Sequence, residues 1–386
     1  MKVVFSTYES PGLSGNFRRA IQMAEGLAQN DCHVFLLTSA SKFQLFPKKY
    51  QVGLVTIIES AGFFPFKYRF SGFDPYDLLI RSVLCVWLRA DSYHSFNPKP
   101  VSIFPCLLAA KILRRPWFFD WADLWGPGGI YEIKKQYTSL FTRISMVIET
   151  WLEKLATSKA DICTCISQKM VEVCKQRGGK PLYVTVGTAP DLAAMETSAA
   201  RKKLGFPLTK KIVGFVYTDS PDSIMLKKAI RLLEKHEIQF IIMGPQLFEK
   251  RKPSNVIYNS FTNRAELAPY LSACNICLVP FSDLPINEYR YPNKIGDYLA
   301  CHKPFLTNPV GDMTSLIAKE RIGWLAQGSA ERLATEILKI LSNTKDVAQK
   351  TKAAQEYAKK QTWKLLTKQL KAAYLSPTSS KVPART

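Results

Sequence analysis

Short β-branched runs alternate with longer segments of helical period from the first residues onward, and this alternation constrains the fold more than any other feature of the chain. "KVVFST" reads as a strand, "GNFRRAIQMAEGLAQN" as a helix and "CHVFLLTS" as a strand again. "GLVTIIES", "DSYHSF", "PWFFDWAD", "DICTCIS" and "PLYVTVG" continue the strands, separated by helical segments such as "YDLLIRSVLCVWLR" and "PVSIFPCLLAAKILRR". Strands joined in this way lie parallel, with helices covering both faces of the sheet. After a polar stretch from Glu196 to Lys211 the pattern restarts at "IVGFVYT" and runs through "IQFIIMG", "NVIYNSF", "NICLVPF", "PFLTN" and "GWLAQG". The expected class is α/β, with two doubly wound, Rossmann-like domains joined near residues 190–205 and facing a cleft. Ligands in open α/β sheets sit outside the carboxyl ends of the strands, so functional residues are sought there.

The 386 residues, 47% of them apolar, suffice for two cores. The longest uncharged apolar runs, "VSIFPCLLAA" and "SVLCVWL", end at Lys111 and Arg89, short of the roughly 20 residues that cross a bilayer. "MKVVFSTYES" reads as a first strand and not as a signal peptide. Nine cysteines are scattered, and the close pairs Cys163/Cys165 and Cys274/Cys277 lack a second pair at zinc-finger spacing, so they read as buried thiols in a reducing cytoplasm. The net charge of +22 requires acidic partners, whether nucleic acid, anionic lipid or a phosphorylated substrate. From Lys339 onward there are 11 basic and 2 acidic residues, on a stretch that reads equally as a solvated helix face or as a surface touching a membrane.

One run combines a cation and an anion in an unusual setting. In "YPNKIGDYLACHKPFLTN", residues 291–308, Lys294 and Asp297 are three apart and share one face of a helix expected to begin near Pro292. Free N–H groups beside Lys294 would take a phosphate, while Asp297 would hold hydroxyls one turn deeper. The first βα turn, "STYESPGLSGNFRRA", offers Gly12 and Gly15 for close approach and Ser14 or Asn16 as caps. It lacks the dinucleotide fingerprint and reads as a structural turn or as a phosphate-facing loop. "FFDWADLWGPGG" places Asp120 and Asp123 at a strand end, where a carboxylate orients sugar hydroxyls or takes a proton and tryptophan stacks on sugars; the alternative is capping acids and core tryptophans. His94 ends another strand and reads more readily as structural than catalytic.

Taken together, "GLSGNFRRAIQMAEGLAQNDCHVFLLT", "DICTCISQKMVEV", "VTVGTAPDL", "AELAPYLSACNICLVPF" and "PNKIGDYLACHKPFL" resemble the family 4 glycosyltransferases, which have the GT-B fold. The resemblance runs over nearly the whole chain. It implies a retaining transfer from a nucleotide sugar and assigns ribose binding to Asp297; Pro292, Lys294, Tyr298, Ala300, Lys303 and Pro304 also match. Two departures stand out. The family usually has glutamate at the position of Asp297 and another eight residues earlier, where this chain has Tyr289 with Glu288 beside it. The family also often carries an arginine and a lysine after the first strand of the second domain, whereas "YTDSPDSIML" has no cation before Lys227. Lys294, Arg290 and helix N-termini are the substitutes for gripping a diphosphate.

The expected catalytic residues are Asp123, Lys294 and Arg290. The expected donor-binding residues are Asp297, Glu288, Asn287, Gly15, Ser14, Asn16 and Thr218. Residues 1–192 are assigned to the acceptor, residues 193–356 to the donor, a helix over 357–376 to a return onto the first domain, and 377–386 to a disordered tail. No metal or other cofactor is expected; the nucleotide sugar, a UDP- or GDP-sugar, is a substrate. The acceptor is read as a glycan or lipid-linked precursor, and the location as cytoplasmic, peripheral at the inner face of a membrane. Phe63, Phe64, Phe66, Phe70 and Phe73 with Lys67 and Arg69 are the expected contacts to an anionic bilayer. Nucleic acid is not an expected partner, because the basic residues are dispersed and no recognition motif is present. Two rivals are a sugar-nucleotide epimerase of the same fold, which needs no acceptor, and a noncatalytic nucleotide-sugar or polyanion-binding protein.

Overall fold

The computed structural model describes residues 1–12, 15–65, 68, 71–133, 139–217, 222–261 and 263–376. The chain divides into two compact units, the first made of Met1–Thr185, Tyr289–Tyr291 and Trp363–Thr386, the second of Val186–Glu288 and Pro292–Thr362. The division falls at Thr185/Val186 and not at the expected 192/193. Residues just after it are already tied into the second unit: the Thr188 amide donates to the Gln361 carbonyl at 2.7 Å and the Ala189 amide to the Gly296 carbonyl at 3.1 Å.

The first unit is an eight-stranded sheet built from β1 (Lys2–Ser6), β2 (His33–Thr38), β3 (Lys48–Val52), β4 (Val55–Glu59), β5 (Ser92–Phe96), β6 (Trp117–Trp121), β7 (Ile162–Cys165) and β8 (Pro181–Tyr183). Their order is β3-β4-β2-β1-β5-β6-β7-β8. All pairings are parallel except that of β3 with β4. The sequence reading missed β3 because "KKYQV" is polar and largely exposed; its lysines suit an edge strand, where charge discourages further pairing. The central strands β1, β5, β6 and β7 are buried along nearly their whole length, as strands covered on both faces must be.

The second unit holds β9 (Lys211–Val216), β10 (Ile238–Met243), β11 (Val256–Asn259), β12 (Ile276–Val279), β13 (Phe305–Thr307) and β14 (Gly323–Leu325). They are all parallel, in the order β11-β10-β9-β12-β13-β14. The direction of winding reverses between β1 and β5 in the first unit and between β9 and β12 in the second, so each sheet has one switch point where a crevice opens beyond its strand ends. The polar stretch from Glu196 to Lys211 contains an unforeseen helix, Thr197–Leu204, which buries only Ala200 and Arg201 and therefore carries almost no hydrophobic period.

The long C-terminal helical stretch is broken. Thr344–Lys360 belongs to the second unit, and the returning helix is Trp363–Leu375, shorter than the expected 357–376. The break lies at Gln361, whose backbone leaves the helical region at φ −107° and ψ 28° while its side chain donates to the Val186 carbonyl at 3.3 Å. The returning helix lies against Gly15–Ala28 so closely that a Cβ on Gly26 would stand 2.6 Å from the Trp363 carbonyl oxygen. Asn30 fixes the contact through hydrogen bonds to the Lys364 carbonyl at 2.7 Å and the Thr367 hydroxyl at 3.0 Å. The tail 377–386 lies outside the described residues.

Candidate active site

In the second unit the quoted motif forms the helix Lys294–Ala300, which starts two residues later than expected and has only seven residues. Its N-terminal field is correspondingly short, so Lys294 must supply most of any anion-binding charge. Pro292 precedes the helix, and its carbonyl accepts the Ile295 amide at 3.1 Å. Tyr298 pins the helix to the sheet: its hydroxyl donates to the Leu278 carbonyl at 2.9 Å and accepts the Val216 amide at 3.1 Å, bridging β12 and the end of β9 at the switch point. Gly296 permits the approach of the preceding chain, since a Cβ there would stand 2.3 Å from the Gly187 carbonyl oxygen. Lys303 is buried, and its ammonium donates to the Ser272 carbonyl at 2.7 Å and the Thr197 hydroxyl at 3.0 Å, a structural role.

Lys294 and Asp297 have different neighbours. The Lys294 ammonium lies 4.4 Å from the centre of the Phe215 ring at the end of β9. Asp297 is fully buried and accepts Arg264 Nη2 at 2.6 Å, while Arg264 Nε donates to Asp191 at 2.7 Å. Arg264 is a residue that sequence reading missed; it lies 33 positions before its partner, and only the fold brings them together. Asn287 is also buried, and its amide donates to Asp222 at 3.0 Å and to the Ser282 carbonyl at 2.8 Å. Asp222 accepts the Ser282 amide and hydroxyl too, at 2.8 and 2.6 Å, and closes the loop beyond β9 onto that beyond β12. Glu288 is exposed and accepts the Gly311 amide at 3.2 Å, at the entrance to the helix Asp312–Glu320. Thr218 lies outside the described residues.

The first unit gathers a second set around its own switch point. Glu9, in the loop after β1, caps Gly15–Ala28 by accepting the Phe17 amide at 2.7 Å. Of the two expected caps, Ser14 or Asn16, Asn16 is instead the helix's second residue and turns its side chain to Glu9 at 3.5 Å and to Asp123. Gly15 is exposed as the first helical residue, and Ser14 lies outside the described residues. An anion at this helix end would meet a carboxylate already in place. Asp123 is half-buried, and desolvation pushes its carboxyl above the usual range against the pull of Arg290, Asn16 and Arg19. Arg290 belongs to the same unit as Asp123, and its charge acts on that carboxyl.

Asp120 does not face a ligand. It is buried and holds Arg19 in two bonds, Nε at 2.8 Å and Nη2 at 2.9 Å, while accepting the Thr164 hydroxyl at 2.6 Å. Trp121 and Trp125 are both buried, so neither offers an open ring face to a sugar. Beside Trp125 is a pair that sequence reading missed. Lys99 donates to Glu149 at 2.7 Å, with its ammonium 4.2 Å from the Trp125 ring centre and 5.0 Å from that of Tyr8. Burial pushes Glu149 up to about 7, with Lys99 opposing, so a carboxyl near neutrality stands beyond the ends of β1 and β5. The sequence signal was faint: Lys99 follows a strand end between two prolines, in "NPKP".

Comparison with known proteins fits this architecture. Residues 212–343 match the family model for glycosyl transferases group 1. The sucrose-phosphate synthase of Thermosynechococcus elongatus superposes with a TM-score of 0.77 at 16% identity, over 97% of this chain and 98% of that one. HepE of Anabaena in complex with UDP-glucose gives 0.67 at 16% identity, over 97% and 100% of the two chains. WaaG, a glycosyltransferase involved in lipopolysaccharide biosynthesis, gives 0.65 at 16% identity, over 97% and 99%. No curated protein matches the chain by sequence. The fold is GT-B. The matched segment contains Arg264, Asn287, Glu288, Arg290, Lys294 and Asp297; of these Arg290 belongs to the first unit, as Asp123 does.

His94 is structural. It is fully buried, with Nδ1 2.7 Å from the Tyr374 hydroxyl and Nε2 3.3 Å from the Thr164 hydroxyl. Burial lowers its pKa to about 4; Asp120 pulls it the other way and Arg19 adds to the lowering. The unfolded chain, with histidine near 6.5, therefore binds a proton between those values that the folded chain does not, and stability falls as pH falls through that window. Urea unfolding at pH 7 and pH 5 is expected to show about 2 kcal/mol of acid destabilisation in the wild type that His94→Asn lacks. Equal pH dependence in the two proteins would remove His94 from this role.

Proposed function

We propose that the chain is a retaining glycosyltransferase, moving a sugar from a nucleotide-sugar donor held by the second unit to a lipid-linked glycan acceptor met by the first. The observation that carries the reading is the group 1 match over residues 212–343, in which the motif helix stands at the β9/β12 switch point. A structural neighbour crystallised with UDP-glucose supports the donor class. Lys294 is assigned to the diphosphate, where a fixed cation counts most as the leaving group develops charge. Asp297 is assigned to the ribose by the resemblance, and its bond to Arg264 holds it oriented. Asp123, its carboxyl raised by desolvation and steadied by Arg290, is assigned to an acceptor hydroxyl. Retention of configuration rests on the family resemblance.

The donor assignment is tested by thermal shift with a panel of UDP- and GDP-sugars. One of them at 100 times its dissociation constant is expected to stabilise the wild type by about 2.7 kcal/mol. Lys294→Ala and Asp297→Asn are expected to lose most of that gain. A panel without any stabilising member, or variants that respond as the wild type does, would count against the assignment.

The membrane location is drawn from the first unit's surface. No helix among the described residues is long and apolar enough to cross a membrane. Three neighbouring helices nevertheless expose apolar side chains at helical spacing: Leu79, Val83 and Trp87 on Pro75–Leu88, Leu108 and Ile112 on Pro100–Leu113, and Leu140, Ile144, Val147 and Trp151 on Leu140–Lys159. Trp87 is 72% and Trp151 53% exposed, and Arg89, Lys111, Arg114 and Arg143 are exposed on the same helices or just beyond their ends. Phe63 and Phe64 are exposed as the sequence led one to expect, and Phe73 packs edge-on to Phe141; Phe66, Lys67, Arg69 and Phe70 lie outside the described residues. Indole at an interface with nearby cations suits an anionic bilayer surface, each cation contributing about 1 kcal/mol. In flotation at low salt the protein is expected to bind phosphatidylserine vesicles, to release as salt rises, and to bind poorly as the double variant Trp87→Glu, Trp151→Glu. Indifference to anionic vesicles at low salt would overturn the membrane reading while leaving the donor reading intact.

A further inference from the structure

The first unit contains a cluster of thiols that the transfer reaction does not use. Cys163 and Cys165 alternate along β7 and so project from the same face of the sheet, with Thr164 on the other. The chain then turns at Ser167, whose hydroxyl caps the helix Gln168–Gln176 by accepting the Met170 amide at 3.3 Å. Among that helix's residues Met170 and Cys174 are buried. The Sγ atoms of Cys163, Cys165 and Cys174 all lie within 4.8 Å of one another, and all three residues are fully buried. The Cys163 and Cys165 sulfurs are 3.8 Å apart.

Two further features belong to the cluster. Gly178, at φ +77°, and Gly179 wrap the chain back over Cys174, and a Cβ on Gly179 would stand 2.8 Å from the Cys174 sulfur and closer still to the Thr157 carbonyl. That carbonyl accepts the Cys174 thiol at 3.4 Å and offers a neutral oxygen beside that sulfur. The Arg177 guanidinium adds positive charge next to Cys174. Four-coordinate zinc with sulfur at about 2.3 Å places its sulfurs about 3.8 Å apart. One edge of the cluster already has that length, and the others need contract by no more than about 1 Å.

The geometry points to a binding site for one thiophilic d10 cation, zinc or monovalent copper, ligated by Cys163, Cys165 and Cys174. Sequence spacing argued for ordinary buried thiols, because the ligands come as a close pair and a single distant residue; the helix that folds back over β7 completes the set. Binding replaces thiol protons by the cation, and the negative charge of a three-thiolate zinc site is offset in part by Arg177. The cation would join β7 to its helix near the strand edge, behind Thr164, which holds Asp120 from the opposite face.

The full-length reduced protein is titrated with Cd²⁺ and followed by thiolate-to-metal charge-transfer absorption, then challenged with Zn²⁺ and Cu⁺ to distinguish the two sources. One Cd²⁺ per chain is expected, with displacement by stoichiometric Cu⁺ marking a copper site and displacement only by excess Zn²⁺ a zinc site. Cys174→Ser and Cys163→Ser are each expected to weaken binding by at least about 100-fold, the upper cost of disturbing even an outer-shell partner. Cys32→Ser, a buried thiol elsewhere in the unit, is expected to bind as the wild type does. X-ray absorption of the wild-type zinc form needs no variant and is expected to show three sulfurs at about 2.3 Å. Failure of the folded, reduced protein to take up one cation, absorption that survives Cys174→Ser with circular dichroism intact, or a zinc shell without sulfur would each overturn the site.

Discussion

The first unit depends on one buried ion pair. Arg19, on the helix Gly15–Ala28, grips Asp120 at the end of β6 in two parallel bonds and extends its remaining donors to the carbonyls of Val184 and Thr185 at 2.7 and 3.1 Å. Asp120 is completed by the Thr164 hydroxyl of β7. One guanidinium thus orients a helix, a central strand and the last residues of the unit's first segment, Met1–Thr185. Removing either partner would leave a buried charge uncompensated, at a cost of about 3–5 kcal/mol. Trp363 stands over the same guanidinium at 5.9 Å, so the returning helix packs where the pair is fixed.

A second buried pair, Arg81 with Asp77, serves the crevice. Arg81 reaches Ser39 at 2.7 Å, the Ser6 hydroxyl at 3.1 Å and the Thr7 carbonyl at 2.6 Å, and so holds the end of β1 from below. Tyr8 and Glu9 leave that strand end directly, one toward Lys99 and the other to cap the first helix. In the second unit, Tyr298 and the Asp297–Arg264–Asp191 chain do the same for the motif helix. In both units, side chains near the switch point are aimed by polar groups buried within the fold. Such preorganisation is what electrostatic catalysis requires.

Much of this was legible in the sequence, because strand and helix alternation is written in local composition and the motif in "PNKIGDYLACHKPF" is contiguous. The short edge strand "KKYQV" and the helix Thr197–Leu204 were not legible, since neither buries enough apolar surface to show a period. Individual site residues were harder still. Asp120 and Asp123 are three positions apart at one strand end, yet one is locked to Arg19 in two bonds and the other has its carboxyl raised by desolvation; only tertiary surroundings separate them. Arg264, Glu149 and the third thiol, Cys174, lie far along the chain from the residues they join, and no local pattern announces a contact made by the fold.

The central claim is sugar transfer to an acceptor, and mass spectrometry of the complete reaction tests it most directly. The protein is incubated with the stabilising nucleotide sugar and with a lipid extract carrying glycan precursors, and both products are weighed. The account predicts an acceptor heavier by one sugar residue and one nucleoside diphosphate released per transfer. Conversion of the nucleotide sugar without any acceptor would instead identify an epimerase, and binding with no conversion under any acceptor would identify a noncatalytic sugar-nucleotide receptor.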